Sequence, residues 1–299
     1  MKPFFAYVIF CLLFLGLISP SPAQQQTSQQ AQPLKQEVPP ISAQSVKGNI
    51  YQIKGGMGAN TGFFIGEKEV LAIDAKMTED SAKQMIAEIK KLTPHPFSYI
   101  ILTHSDGDHV NGLVGFPQGT NIISHEKTRA HMSKAFQSPQ ERAYLPNITF
   151  SERLSIYLGG VPRGTRIDLL YFGPAHTDGD AVVYFPAEKV AFIGDLIFID
   201  RDMLIHRSKN GGSFGLVKVL KGILNLDAEI FVHGHGDLAT KKDIQNLMQS
   251  VEEKQIRIQA LVKEGKTLGQ VQKIFNIEDR GMRRMSLVEV VYLELTEKK

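Results

Sequence analysis

The sequence has one cysteine, Cys11, and it sits inside an apolar run at the N-terminus, after the bulky Phe10 rather than a small residue. That context argues against lipid attachment. If the run is removed, no cysteine remains, which excludes disulfides, thiolate metal ligands and a cysteine nucleophile together, so any metal must be held by nitrogen and oxygen. A surplus of one charge is also lacking. The formal charge is +3 for 299 residues, and losing Lys2 leaves +2, a balance that offers nothing to nucleic acid. The apolar run itself, Phe4 to Ile18, is too short and too abruptly ended for a comfortable membrane span.

What is there instead reads as export. Lys2 precedes the apolar run and Ser21 and Ala23 form a small-x-small pair, so residues 1–23 are expected to be a secretory signal, with the mature chain starting at Gln24 in the periplasm or outside the cell. The competing reading is an uncleaved N-terminal anchor; after cleavage no segment would remain for stable membrane insertion. Residues 24–43 form a Gln- and Pro-rich linker, interrupted by Pro33, Pro39 and Pro40, that cannot bury enough apolar surface to fold.

Residues 44–299 carry a different pattern, and the chain's 42% hydrophobic and 22% charged content suits a globule with a sizeable core. Short β-type runs, "GNIYQIKG", "NTGFFIG" and "KEVLAIDA", predict an antiparallel opening sheet. A helix over Ser81 to Leu92, opened by Thr78 and Glu79, puts Met85, Ile86, Ile89 and Leu92 on one face, and Pro94 closes it. The strand "FSYIILT" follows. The second half repeats this grammar without a strong sequence repeat: strands at "ITFSERLSIYL", "TRIDLLYFG", "DAVVYFP", "KVAFIGD" and "AEIFVHG", with helices over roughly Phe214 to Leu224 and much of 240 to 263. Two more helices, "LGQVQKIF" and "RRMSLVEVVYLELT", end the chain; the last is apolar enough to need a partner surface, expected to be the sandwich itself. Strands in both halves separated by helices predict a layered α/β sandwich.

The chemistry concentrates in "ILTHSDGDHV". A histidine at a strand end can turn its i and i+2 side chains one way, and a tight turn at Gly107 lets the next pair approach from another side, so His104 and Asp106 suit one metal and Asp108 and His109 a second. A chance polar turn is the bland alternative for this stretch alone. It has company, however. His176 in "FGPAHTDGD", Asp195 in "AFIGDLIF" and His235 in "FVHGHGD" each close an apolar strand, and such ends converge on one edge of a sandwich.

This ordered set resembles the metallo-β-lactamase superfamily over Gly48 to Gly236, with "THSDGDHVNG" standing for the family's Thr-His-x-His-x-Asp-His-x-x-Gly. The resemblance implies a four-layered αββα sandwich and two divalent ions, zinc by default. His104, Asp106 and His176 would hold one, Asp108, His109 and His235 the other, and Asp195 would bridge them. The departure is Asp106, where most members have histidine. A third carboxylate makes the ions weaker Lewis acids and tilts preference toward manganese or iron, as in flavodiiron members that carry glutamate there.

Other histidines have plainer readings. His233 is an outer partner or alternate ligand at most, in a place where the family has proline; His125 and His131 fall on a helix after "NIIS"; His95 lies in a loop between prolines. The segment "RDMLIHRSKNGG", with Arg201, His206, Arg207 and Lys209, could line a pocket and hold a substrate carboxylate, or be a solvated loop.

The resemblance implies a hydrolase in which metal-activated water attacks an ester, thioester, lactone or amide of a small-molecule substrate while Asp108 orients it or accepts its proton. β-Lactam hydrolysis is a narrower version, weakened because the expected cysteine is Asp195 and the expected lysine three positions on is Phe198. An iron-dependent, oxygen-using enzyme is a second class, although no flavodoxin-like domain follows. A binding protein with one disabled site is the third.

Overall fold

The computed structural model describes Met1 and residues 38–159, 164–277 and 285–297, and the rest of the expected signal segment and most of the expected linker lie outside them. From Val38 onward the chain makes one folded unit. Among the described residues twelve strands form two sheets. The first runs in chain order: β1 (Ser42–Lys47), β2 (Ile50–Lys54), β3 (Thr61–Ile65), β4 (Val70–Ile73), β5 (Phe97–Ile101), β6 (Asn121–His125) and β7 (Ile148–Phe150). Strands β1 to β4 pair antiparallel, and β4 to β7 pair parallel through helical crossovers.

The crossovers are α1 (Glu79–Leu92), α2 (Gly107–Val110) with a 3-10 turn, and α3 (Glu126–Ala135) with α4 (Pro139–Arg142). Helix α1 follows its sequence signals except at Leu92, which is exposed in the last turn instead of joining the buried face. Thr78 caps it by accepting from Ser81 N at 3.2 Å, Glu79 and Asp80 suit its positive end, Lys90 and Lys91 its negative end, and Ala82, Met85, Ile86 and Ile89 are its buried stripe.

The second sheet has the order β12-β11-β10-β9-β8, built from β8 (Arg153–Leu158), β9 (Thr165–Leu170), β10 (Val182–Phe185), β11 (Val190–Phe192) and β12 (Ile230–Val232). Its last pair is parallel and is joined through α5 (Ser213–Leu224). Helices α6 (Lys241–Lys263), α7 (Leu268–Ile274) and α8 (Leu287–Thr296) complete the chain.

Three apolar clusters define the layers. Between the sheets, Ile50, Leu71 and Ile101 of the first meet Ile167, Phe185 and Val190 of the second. The other face of the first sheet packs on α1 and α3 through Phe63, Ile100, Met85, Ile89 and Met132. The other face of the second packs on α5, α6 and α8 through Val182, Ala191, Leu216, Leu220, Ile258, Val288 and Val291. The result is the expected αββα sandwich, in which each fully buried Ile, Leu or Phe contributes about 1.5–3 kcal/mol. Glu294 of α8 also accepts from Ser213 N at 2.9 Å, so the C-terminal helix caps α5 as well as covering the sheet.

Two boundaries differ from expectation. Folding starts before Gln44, because Ser42 and Ala43 already belong to β1, paired with Lys54 and Ile53; the partner strand, not the segment's own composition, orders them. The run "ITFSERLSIYL" is two strands, not one: Ser151 and Glu152 turn the chain, so β7 joins the first sheet and β8 the second.

Candidate metal centre

The strand ends deliver their polar residues to one edge. Thr103 and His104 follow β5, Asp106 precedes the single turn of α2, His176 lies between β9 and β10, Asp195 follows β11 and His235 follows β12. Gly107 starts the single turn of α2, where a Cβ would stand 2.6 Å from Asn111 Nδ2. Gly234 is required more strictly. A Cβ on it would press on Asp195 Oδ1 and stand 2.8 Å from His109 Cε1.

Two donor groups result. Asp108, His109, Asp195 and His235 each bring one ligand atom within 4.8 Å of the others, and so do His104, His176 and Asp195. Asp195 belongs to both. His104 Nε2, His109 Nε2 and Asp195 Oδ1 are buried without a hydrogen bond. Orphaned buried polar atoms cost about 1–3 kcal/mol each, so three that face one another fit a cation between them.

The other ring nitrogens fix which atoms face inward. His109 Nδ1 lies 2.8 Å from Asp74 Oδ2 and His176 Nδ1 lies 2.7 Å from the Leu204 carbonyl; both partners accept, so both Nδ1 atoms donate. Thr103 uses its one hydroxyl proton on Asp74 at 2.8 Å, leaving Oγ1 to accept from His104 Nδ1 at 3.0 Å. In each neutral ring the lone pair is therefore on Nε2. Asp74 orients two histidines at once, and it also takes Thr103 N at 2.8 Å.

Asp106 stands near both other members of the expected trio and near a further histidine. Its Oδ2 lies 3.9 Å from His104 Nε2, but 3.2 Å from His176 Nε2 and 2.8 Å from His206 Nε2, while Lys209 Nζ donates to Oδ1 at 2.6 Å. Lys209 also donates to Ser105 O and Oγ at 3.2 and 3.1 Å. The additional carboxylate thus brings its own counter-charge. The Lys209 ammonium stands against the third negative charge that Asp106 brings to the centre.

Charge is strongly coupled across the centre. Burial, assisted by His109, pushes His104 well below the ordinary histidine pKa. Burial opposes charge on His109 too, but Asp195 and Asp74 outweigh it and hold the ring well above that value. His176 is raised to about 9, with burial outweighed by Asp106 and Asp195. Burial works against ionised Asp195 as well, and His109 and His235 overcome it and keep the carboxyl well below the usual range.

Asp74 escaped sequence reasoning although "VLAID" carries the same signal as "AFIGD", an acid closing an apolar strand. His206 and Lys209 were visible only as a mixed basic segment, and the structure makes that segment part of the centre. His206 N donates to the His176 carbonyl at 2.8 Å. Phe198, at the position of the expected lysine, stacks on His235 with centroids 5.6 Å apart, and the Arg201 guanidinium lies 4.2 Å from its ring. His233 is buried but belongs to neither donor group. His125 ends β6 and caps α3, rather than lying on the helix, and His131 pairs with Asp178 at 2.6 Å.

Residues 55–235 match the family described as the metallo-beta-lactamase superfamily. The chain belongs to that superfamily. It is 28% identical over 202 residues to the 2,4-dinitroanisole O-demethylase subunit alpha of Nocardioides sp. (strain JS1661), a match covering 66% of this chain and 58% of that subunit's length. It is 27% identical over 236 residues to the metallo-beta-lactamase type 2 of Elizabethkingia meningoseptica, covering 74% of this chain and 88% of the relative. Among solved structures, a metallo-beta-lactamase from Pontibacter korlensis superposes with a TM-score of 0.62 at 16% identity, covering 71% of this chain and 99% of that one. The DIM-1 metallo-beta-lactamase gives 0.61 at 18% identity, with 73% and 99% coverage. These two likenesses establish the fold. The family and the donor clusters together support a metal-binding enzyme.

Proposed function

We propose that the chain is an exported, dinuclear metal-dependent hydrolase acting on an ester, thioester, lactone or amide of a small molecule. The observation that carries this reading is the sharing of Asp195 by two donor groups. Divalent ions bound there would lower the pKa of coordinated water toward neutrality and polarise a carbonyl oxygen. Zinc suits the histidines; the carboxylates keep manganese and iron within the donor set's range.

The chain's own residues do the rest. His104, His109 and His176 present Nε2 atoms whose direction is set by Thr103, Asp74 and Leu204. Asp108 is the least buried carboxylate of the two groups, with 29% of its side chain exposed against 4% for Asp195, and its Oδ2 stands 3.2 Å from His235 Nε2. That position lets it accept a proton from a water at the mouth of the centre and hold that water against the substrate. Phe198 closes one side with an apolar ring.

The test is turnover of a panel of esters, lactones and β-lactams by metal-reconstituted protein, with loss on chelation and return on adding metal. The O-demethylase relative extends the panel to activated aryl ethers. Turnover of none of these classes by fully loaded protein would contradict the reading. A β-lactamase reading is favoured by the Elizabethkingia relative but opposed by Asp195 and Phe198, which stand where cysteine and lysine are expected.

A further inference from the structure

Asp106, His176 and His206 form a third donor group, each with a ligand atom within 4.8 Å of the others. It overlaps the group of His104, His176 and Asp195 at a single atom, His176 Nε2, because His176 Nδ1 is committed to the Leu204 carbonyl. One imidazole lone pair binds one ion. An ion held by His176 would therefore lie beside His206.

We propose that His206 is a ligand of the ion that His176 binds, an assignment resting on the metal-dependent reading above. The separations agree with it. Around an ion with bonds of about 2.1 Å, neighbouring donors stand ~3.0 Å apart in octahedral and ~3.4 Å apart in tetrahedral geometry. Asp106 Oδ2 is 2.8 Å from His206 Nε2 and 3.2 Å from His176 Nε2. His206 Nε2 is buried and forms no well-aligned hydrogen bond. Lys209 on Oδ1 leaves Oδ2 as the oxygen directed toward both rings.

The backbone fixes the two histidines as a unit. His206 N donates to His176 O, and Gly211 N donates to His206 O at 3.0 Å. A side chain at Gly211 would crowd the same His176 carbonyl. The segment that carries His206 is thus built against the peptide of His176, a member of two donor groups. Replacing a family histidine by Asp106 is offset here by a histidine arriving from another part of the chain.

The test loads the full chain with cobalt(II) and reads bound cobalt per chain and the paramagnetically shifted imidazole proton signals. Wild type is expected to hold two ions. His206→Ala is expected to bind one of them at least about tenfold more weakly, to keep the other, and to lose one ring's shifted signals. His206→Asn separates a ligand from a prop, since its amide could hydrogen-bond Asp106 from the same side but is a poor donor to metal. It should behave as the alanine variant does, and it also decides the matter if that variant does not fold. Wild-type binding with a full set of shifted signals in the asparagine variant would overturn the assignment while leaving the hydrolase reading intact. Failure of wild type to bind cobalt, zinc or manganese would overturn both.

Discussion

Replacing Asp74 by asparagine tests the logic of the centre without touching a metal donor. Asp74 accepts three hydrogen bonds of 2.8 Å, from Thr103 N, Thr103 Oγ1 and His109 Nδ1, and is 2% exposed. Its φ of +61° is a conformation asparagine adopts readily, so the backbone need not change. The amide keeps one acceptor and turns a donor toward Thr103 or His109. His109 then favours the tautomer with its proton on Nε2, the atom that must face the ion. Loss of such an orienting partner costs about 10–100-fold in metal affinity, or about 1.4–2.8 kcal/mol. Competition against a chromogenic chelator reads that loss directly, and His104 should share it through Thr103. Both ions binding within twofold of wild type would refute the argument that Asp74 sets the tautomers.

Other outcomes follow from the same geometry. Asp108→Ala and His109→Ala should abolish turnover while circular dichroism still reports a folded chain, and undiminished activity in either would sink the site assignment. Metal uptake should release protons: His176, raised to about 9, is charged near pH 7 and must become neutral to bind, and His109 is shifted in the same direction. Apparent affinity should then rise with pH, about tenfold per unit for each proton released, until pH passes about 9 for His176. Titration in weakly buffered solution with a pH indicator measures the release; a pH-independent affinity across that window would contradict it. Lys209→Met should move the acid limb of the turnover profile upward by about one pH unit, because Asp106 loses its counter-charge and the bound water becomes harder to ionise. An unmoved limb would show that Lys209 does not compensate Asp106.

Much of the fold was legible because periodicity and caps agree with burial. The Thr78 cap and the Met85, Ile86 and Ile89 stripe locate α1, and turn residues divide most strands. The split of "ITFSERLSIYL" was not legible, since which sheet a strand joins depends on distant partners: Ile148 pairs with Ile123 and Arg153 with Leu170. The same division runs through the centre. His104, Asp108, His109, His176, Asp195 and His235 end apolar strands or stand in a motif, and local sequence marks them. His206 reaches Asp106 across a hundred residues, and only the folded chain makes them neighbours. Asp74 carried a signal that was available but unread.

If two ions share Asp195, as proposed, metal content measures it most directly. Elemental analysis of reconstituted protein, beside Asp195→Ala, should give about two divalent ions per wild-type chain and a loss at both positions in the variant, because Asp195 supplies both donor groups. A wild-type chain that saturates at one ion, or an Asp195→Ala chain that keeps two, would contradict the account.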